Sequence, residues 1–122
     1  MRLAALGGVP TVVNLWAAWC APCRKEAPAF QRLHVVAGDR VQVLGVLTED
    51  TERDALDAAA HLGIHYPSVV DADGRLLDHS GVRALPVTYF VAASGRAYRY
   101  VGPALSYEAL RRLVAQHLGV RV

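Results

Sequence analysis

The sequence predicts an α/β domain with a mixed β-sheet, on three observations. Thr11-Val12-Val13-Asn14-Leu15-Trp16 is a nearly continuous apolar, β-branched run, the composition of a central strand buried on both faces. A helical pattern over 21–36 and a second apolar run over 41–47 follow it, making a β-α-β unit with parallel strands and a right-handed crossover. Two later runs, 87–92 and 97–101, flank Ala93-Ser94-Gly95-Arg96 and read as a hairpin, which adds an antiparallel edge.

Each element has its own local signals. In the helix over 21–36, Leu33 and Val36 supply apolar spacing, Arg24, Lys25, Glu26 and Arg32 a solvated face, and Gly38-Asp39 a stop. Thr48-Glu49-Asp50-Thr51 opens a second helix that runs to about Leu62 and closes at Gly63. Residues 66–70 read as a short strand, Asp71-Ala72-Asp73-Gly74 as a turn, and 75–79 as a short helical stretch. Ser106 caps a last helix to Leu118, with Glu108 in its first turn and Leu110, Leu113, Val114 and Leu118 on one face. No internal repeat, linker or low-complexity tract interrupts the chain.

Composition narrows the classes of function. The 122 residues, 53% hydrophobic and 20% charged, suit one soluble globular domain with a real core and exclude a disordered chain. No apolar stretch reaches the roughly 18 to 20 residues that span a bilayer, and the first eight residues are too short for a secretory signal. A formal charge of +2, with Lys and Arg spread out and no interleaved stacking aromatics, argues against nucleic acid as a partner. Two cysteines make neither a multi-bridge scaffold nor a four-cysteine zinc site.

Those two cysteines stand in Trp19-Cys20-Ala21-Pro22-Cys23, between the first strand and the first helix. A helix that starts at Cys20 puts Cys20 and Cys23 at i and i+3, roughly 5 to 6 Å apart and within disulfide range. Cys20 lies at the helix N-terminus, where free N–H groups and the macrodipole favour an anion, and Cys23 lies one turn further in. Cys20 is therefore the expected nucleophile and Cys23 the resolving thiol. The helix terminus supplies about 0.3 to 2 kcal/mol, which predicts partial ionisation of Cys20 near neutral pH and a reducing poise rather than that of a strong oxidant. Pro22 suits the first turn and stiffens it. The alternatives are an inert bridge or half of a metal site.

The block from Val12 through Trp19-Cys20-Ala21-Pro22-Cys23 to Arg24-Lys25-Glu26-Ala27-Pro28 resembles the active-site block of the TlpA-like (ResA-like) thiol:disulfide oxidoreductases. Gly81-Val82-Arg83-Ala84-Leu85-Pro86-Val87-Thr88-Tyr89-Phe90 resembles that family's second signature, a cis-proline loop leading into the hairpin. With Asp71-Ala72-Asp73-Gly74, the likeness covers nearly the whole chain. It implies a thioredoxin-like fold with helices on both faces of the mixed sheet and a TlpA-type insertion over about 51–70. It implies a cis bond at Leu85-Pro86, a loop against which a substrate chain is held by its main chain, and a wall beside Cys20 formed by Trp19. The implied reaction is exchange between the Cys20-Cys23 dithiol and protein thiols or disulfides, with no metal or organic cofactor.

The resemblance also implies a setting. The family works outside the cytoplasm, in the periplasm or cell envelope and often anchored in the membrane, on substrates that include apocytochromes c, and draws electrons from a membrane or soluble reductant. The chain is expected to act as one monomeric domain over 1–122. Leu3-Ala4-Ala5-Leu6-Gly7 resembles the end of a helix that follows an N-terminal hairpin in the family, and the hairpin itself is expected to be absent.

Departures from related patterns raise a question about Cys23. Classical thioredoxins carry a buried aspartate where this chain has Asn14, and some ResA-like proteins carry a glutamate where it has Ala21. Asn14 hydrogen-bonds but takes no proton, so it reads as a core polar residue or as a group that tunes Cys23. Glu26, one turn beyond Cys23, is either part of the solvated face or a carboxylate leaning back toward the thiol. Pro28 kinks the helix, Trp16 is core, and Arg83 reads as surface. His61 and His65 are interrupted by Gly63 and make no metal pair. A Cu(I)-binding module using Cys20, Cys23 and His79 is the rival from another class, and a general cytoplasmic thioredoxin the rival within the same one.

Overall fold

Every residue of the first strand, β1 (Thr11–Trp16), is buried, because strands flank it on both edges and helices cover both faces. The computed structural model describes residues 8–49 and 51–122. The expected helix end at Leu3-Ala4-Ala5-Leu6-Gly7 and the residue Asp50 lie outside them. The remaining strands are β2 (Gln42–Thr48), β3 (Ser68–Asp71), β4 (Val87–Val91) and β5 (Ala97–Tyr100), in the sheet order β3-β2-β1-β4-β5. β1 and β2 are parallel, with Thr11 opposite Gln42 and Trp16 opposite Leu47, and β3 extends this side in parallel. On the other side β4 runs antiparallel to β1 and β5 antiparallel to β4, so the sheet is mixed.

The helices are α1 (Ala21–Ala37), α2 (Glu52–Leu62), α3 (Arg75–Ser80) and α4 (Tyr107–Leu118). Strand alternation sorts the core into two layers. Val12, Trp16, Val43, Leu47 and Phe90 pack with Phe30 and Leu33 of α1, Ala55 of α2, and Leu110 and Val114 of α4. Val13, Leu15, Val46, Val87 and Val91 face the other way, against Leu77 of α3. The chain thus has the thioredoxin-like arrangement that the resemblance implied.

The local signals explain the element ends and two shifts. Ser106 Oγ accepts from the Ala109 N–H at 3.1 Å, so the expected N-cap of α4 forms, and at α2 the cap is Thr51, whose Oγ1 accepts from the Asp54 N–H at 3.1 Å. The strand expected over 66–70 begins two residues later. Pro67 has no N–H to donate to a ladder, its carbonyl accepts from Gly45 N, and Tyr66 turns into the core. Asp71 ends the strand and caps α3: its carboxylate accepts from the N–H groups of Arg75 (3.1 Å) and Leu76 (2.9 Å) and from Thr48 Oγ1 (3.1 Å).

In α1 the apolar stripe is Cys23, Ala27, Phe30, Leu33 and Ala37, and Val36 is exposed rather than part of it. Leu33 and Ala37 keep the i, i+4 phase of the sheet-facing side, which Val36 leaves. The helix ends one residue later than expected and runs into a 3-10 turn (Gly38–Arg40), with Arg40 donating to the carbonyls of Val36 and Ala37. No helix among the described residues is long and apolar enough to cross a membrane.

Candidate active site

β1 ends at Trp16, and the chain turns through Ala17, whose carbonyl accepts from Cys20 N at 3.1 Å, to start α1. Cys20 is the N-cap of that helix, in extended backbone conformation, and its Sγ accepts from the Cys23 N–H at 3.3 Å. The sulfur thus takes the place of a capping oxygen at the end of the helix that favours negative charge. Pro22 lies in the first turn, where its missing N–H costs nothing. Cys20 and Cys23 form a disulfide with Cα atoms 5.3 Å apart, the separation that the i, i+3 spacing predicts. Both are buried, Cys20 at 5% exposure and Cys23 at 1%.

The surroundings of the pair come from three directions. Trp19 is 62% exposed and its Nε1 donates to the carbonyl of Glu49, which follows β2, at 3.4 Å. Leu15 pairs with Val87, so the loop before β4 lies at the same end of the sheet as the turn leading to Cys20. In that loop Pro86 is buried, Leu85 is half-buried, and the bond between them is cis. Leu85 packs against the core layer that contains both cysteines. Arg83 is exposed.

Glu26 corrects the solvated-face expectation. It is 1% exposed, because its i, i+3 relation to Cys23 puts it on the face of α1 that meets the sheet. Asn14 Nδ2 donates to Glu26 Oε1 at 2.9 Å and contacts Thr88 Oγ1 at 3.2 Å, and the Leu105 N–H donates to Glu26 Oε2 at 3.0 Å. Among the described residues no Lys or Arg pairs with the carboxylate. Burial pushes the Glu26 carboxyl above its ordinary pKa, opposed by the hydrogen bonds from Leu105 and Asn14. Tyr66 and Tyr100 are also raised, by burial first and then by the negative charge of Glu26.

Comparison with known proteins fits this arrangement. The profile of the AhpC/TSA family matches residues 1–98. The chain belongs to the AhpC/TSA family. Among relatives of this AhpC/TSA protein, the thiol:disulfide interchange protein CycY of Rhizobium leguminosarum bv. viciae is 33% identical over 113 residues, 91% of this chain and 60% of that protein. The thiol-disulfide oxidoreductase ResA of Geobacillus thermodenitrificans is 26% identical over 118 residues, 96% of this chain and 66% of its own length. The chain therefore spans 60 to 66% of these two relatives. In structure it is similar to a secreted Mycobacterium tuberculosis disulfide oxidoreductase homologous to E. coli DsbE, with a TM-score of 0.84 and 26% identity over 93% of this chain and 85% of that one.

The fold brings Asn14, Glu26 and Cys23 onto one buried face and sets Trp19 and the Leu85-Pro86 loop at the end of the sheet where Cys20 lies. It does not gather the histidines: His61, His65 and His79 are exposed, and among the described residues no three His, Cys, Asp or Glu side chains are placed to share a metal. The sequence pattern missed Thr88 and the Leu105 N–H. Thr88 was within reach, since it lies two residues past Pro86 and so faces the same side of β4. Leu105 sits in an irregular segment with no periodic signal.

Proposed function

We propose that the chain is a thiol:disulfide oxidoreductase that reduces protein disulfides through Cys20 and Cys23. The observation that carries this reading is Cys20 as the N-cap of α1, bridged to Cys23 and accepting its N–H. In the reduced protein the Cys20 thiolate attacks a substrate disulfide, and one substrate sulfur leaves as a thiolate that takes a proton. Cys23 then gives its proton to the Glu26 carboxylate and attacks Cys20 Sγ. The Cys20-Cys23 bond forms, and the second substrate sulfur leaves. The substrate gains two electrons and the protein loses two, so a reductant, membrane-bound or soluble, must restore the dithiol. Neither metal nor organic cofactor enters this cycle.

Leu85 and Pro86 hold the mixed disulfide through main-chain contact, with Trp19 as the wall beside it. Glu26 is the proton acceptor for Cys23, and Asn14 orients it. The secreted relative supports work outside the cytoplasm and the interchange protein supports protein thiols as the substrate class, while the family resemblance puts apocytochrome c among the candidates. The protein acts as a monomer in this scheme.

The test is the redox equilibrium of the pair against glutathione, together with insulin reduction by the single variants. A reductase has a potential near the roughly −270 mV of thioredoxin, loses turnover in Cys20→Ser, and accumulates mixed disulfide in Cys23→Ser. A potential near roughly −120 mV, or full turnover in Cys20→Ser, refutes the proposal.

A further inference from the structure

Two buried donors in the core make no hydrogen bond to any described residue: the indole Nε1 of Trp16 and the hydroxyl of Tyr66. Their side chains are 1% and 3% exposed, so bulk water does not reach them. Buried donors are nearly always satisfied by protein or by ordered internal water, and an orphaned one calls for an explanation.

The two donors lie over one point of the sheet. A Cβ built on Gly45 would come within 2.8 Å of Ser68 Oγ, 3.0 Å of Tyr66 Cε1 and 3.3 Å of Trp16 Nε1, so the absent side chain of Gly45 leaves the room these three occupy, and the Ser68 hydroxyl donates to the Tyr66 carbonyl at 3.3 Å. Gly45 is the register partner of Asn14 on the neighbouring strand. Paired strands stand about 4.8 Å apart, and Asn14, Trp16 and Gly45 share one face of the sheet. That face is where Asn14 holds Glu26. The niche and the carboxylate are thus neighbours, close enough for the Glu26 charge to add to the effect of burial in raising the Tyr66 hydroxyl.

Glu26 has capacity for another donor. Each carboxylate oxygen accepts two hydrogen bonds, whereas among the described residues Oε1 and Oε2 have one each, from Asn14 and Leu105. The other groups facing it are Thr88, beside Asn14; Cys23, one turn earlier; and Tyr100, whose hydroxyl is committed to the Pro103 carbonyl at 2.9 Å.

We infer that Trp16 Nε1 and the Tyr66 hydroxyl hold an ordered internal water that donates to the Glu26 carboxylate, making Tyr66 a positioning residue for proton acceptance from Cys23. The inference rests on the reading of Glu26 as that acceptor. The water keeps both its protons in the step: the Cys23 proton goes to Glu26, and the hydrogen bond sets how readily. A donor to the ionised form lowers a carboxyl pKa, so removing Tyr66 Oη raises that of Glu26.

The experiment is single-turnover resolution of a preformed mixed disulfide on Cys20, followed over pH in the wild type, Tyr66→Phe and Glu26→Gln. Tyr66→Phe should move the midpoint up by about half a unit to one unit, which slows resolution about three- to tenfold below the midpoint and leaves the first attack by Cys20 unchanged. If Glu26→Gln abolishes the titration and Tyr66→Phe leaves it in place, this inference is wrong and the role of Glu26 stands. If Glu26→Gln keeps the wild-type titration, the role of Glu26 is wrong and the inference falls with it. A second measurement needs no variant of the niche: the Trp16 Hε1 proton, told apart from Trp19 by Trp19→Phe, should show a nuclear Overhauser effect to a long-lived water. A dry indole proton overturns the inference.

Discussion

Asn14 Nδ2 donates to Glu26 Oε1 at 2.9 Å, which joins the strand leading into Cys20 to the helix carrying Cys23. The bond explains how a carboxylate can stand in the core with no cation beside it among the described residues. Its partners are neutral donors, an amide and the Leu105 N–H, which offset part of the burial cost without pinning the group in its ionised form. An arginine in the same place would hold the carboxyl ionised and remove it as a proton acceptor near neutral pH.

Replacing Asn14 tests this balance. Asn14→Leu leaves Glu26 Oε1 and Thr88 Oγ1 without their shared amide and should cost about 1–3 kcal/mol of stability in urea unfolding. Asn14→Asp puts a second carboxyl against Glu26, and two carboxylates at that distance cannot both ionise cheaply. Its loss of stability should grow as pH rises, whereas a loss that stays constant with pH would show that the two carboxyls do not meet.

Glu26→Gln carries a signed pH prediction. The folded pKa of Glu26 lies above its ordinary value of 4.5, so between 4.5 and the folded value the native state holds more proton than the unfolded chain. Stability from this group is therefore full below the unfolded pKa and declines as pH rises through the folded one. Glutamine does not titrate. The stability of the wild type minus that of Glu26→Gln should fall across that window and be level on either side. Unfolding midpoints of both proteins from about pH 4 to about pH 8 measure it, and a difference that rises with pH would mean a lowered carboxyl.

Asp71→Ala should act on the fold and not on the cysteines. It strips the caps from the Arg75 and Leu76 N–H groups and the acceptor from Thr48 Oγ1, a loss of about 1–2 kcal/mol. Asp71→Asn keeps one acceptor oxygen and should recover part of it. The redox potential of Cys20-Cys23 should match the wild type in both variants, because the Asp71 carboxylate bonds to Thr48, Arg75 and Leu76 and to none of Cys20, Cys23, Asn14 or Glu26.

These residues also show what the sequence made legible. Asp71-Ala72-Asp73-Gly74 read as a turn from composition, and the cap it provides for α3 follows from that chemistry. Cys20 at the helix start needed only the spacing of two cysteines and the change of periodicity after Trp16. Glu26 was harder, because a glutamate among Arg24, Lys25 and Arg32 reads as surface until the phase of the helix is known. Val36 failed for the same reason, one residue off the sheet-facing stripe. The donors that make Glu26 tolerable come from β1 and from Leu105, which is 79 residues away, and no local pattern reports a contact of that range.

Trp19→Ala separates wall from packing. With 62% of its surface exposed and its hydrogen bond to Glu49 at 3.4 Å, the indole contributes little to the core, and its removal should change stability by about 0.5 kcal/mol or less. A wall beside Cys20 acts on large substrates, whose chains must lie along it, and hardly on a small aromatic disulfide that reaches the sulfur alone. The variant should therefore reduce a protein disulfide severalfold more slowly than the wild type, with a raised KM, while its rate with the small disulfide stays within about twofold. Equal slowing of both substrates would trace the effect to the reactivity of Cys20, and a stability loss above about 1 kcal/mol would make Trp19 a packing residue.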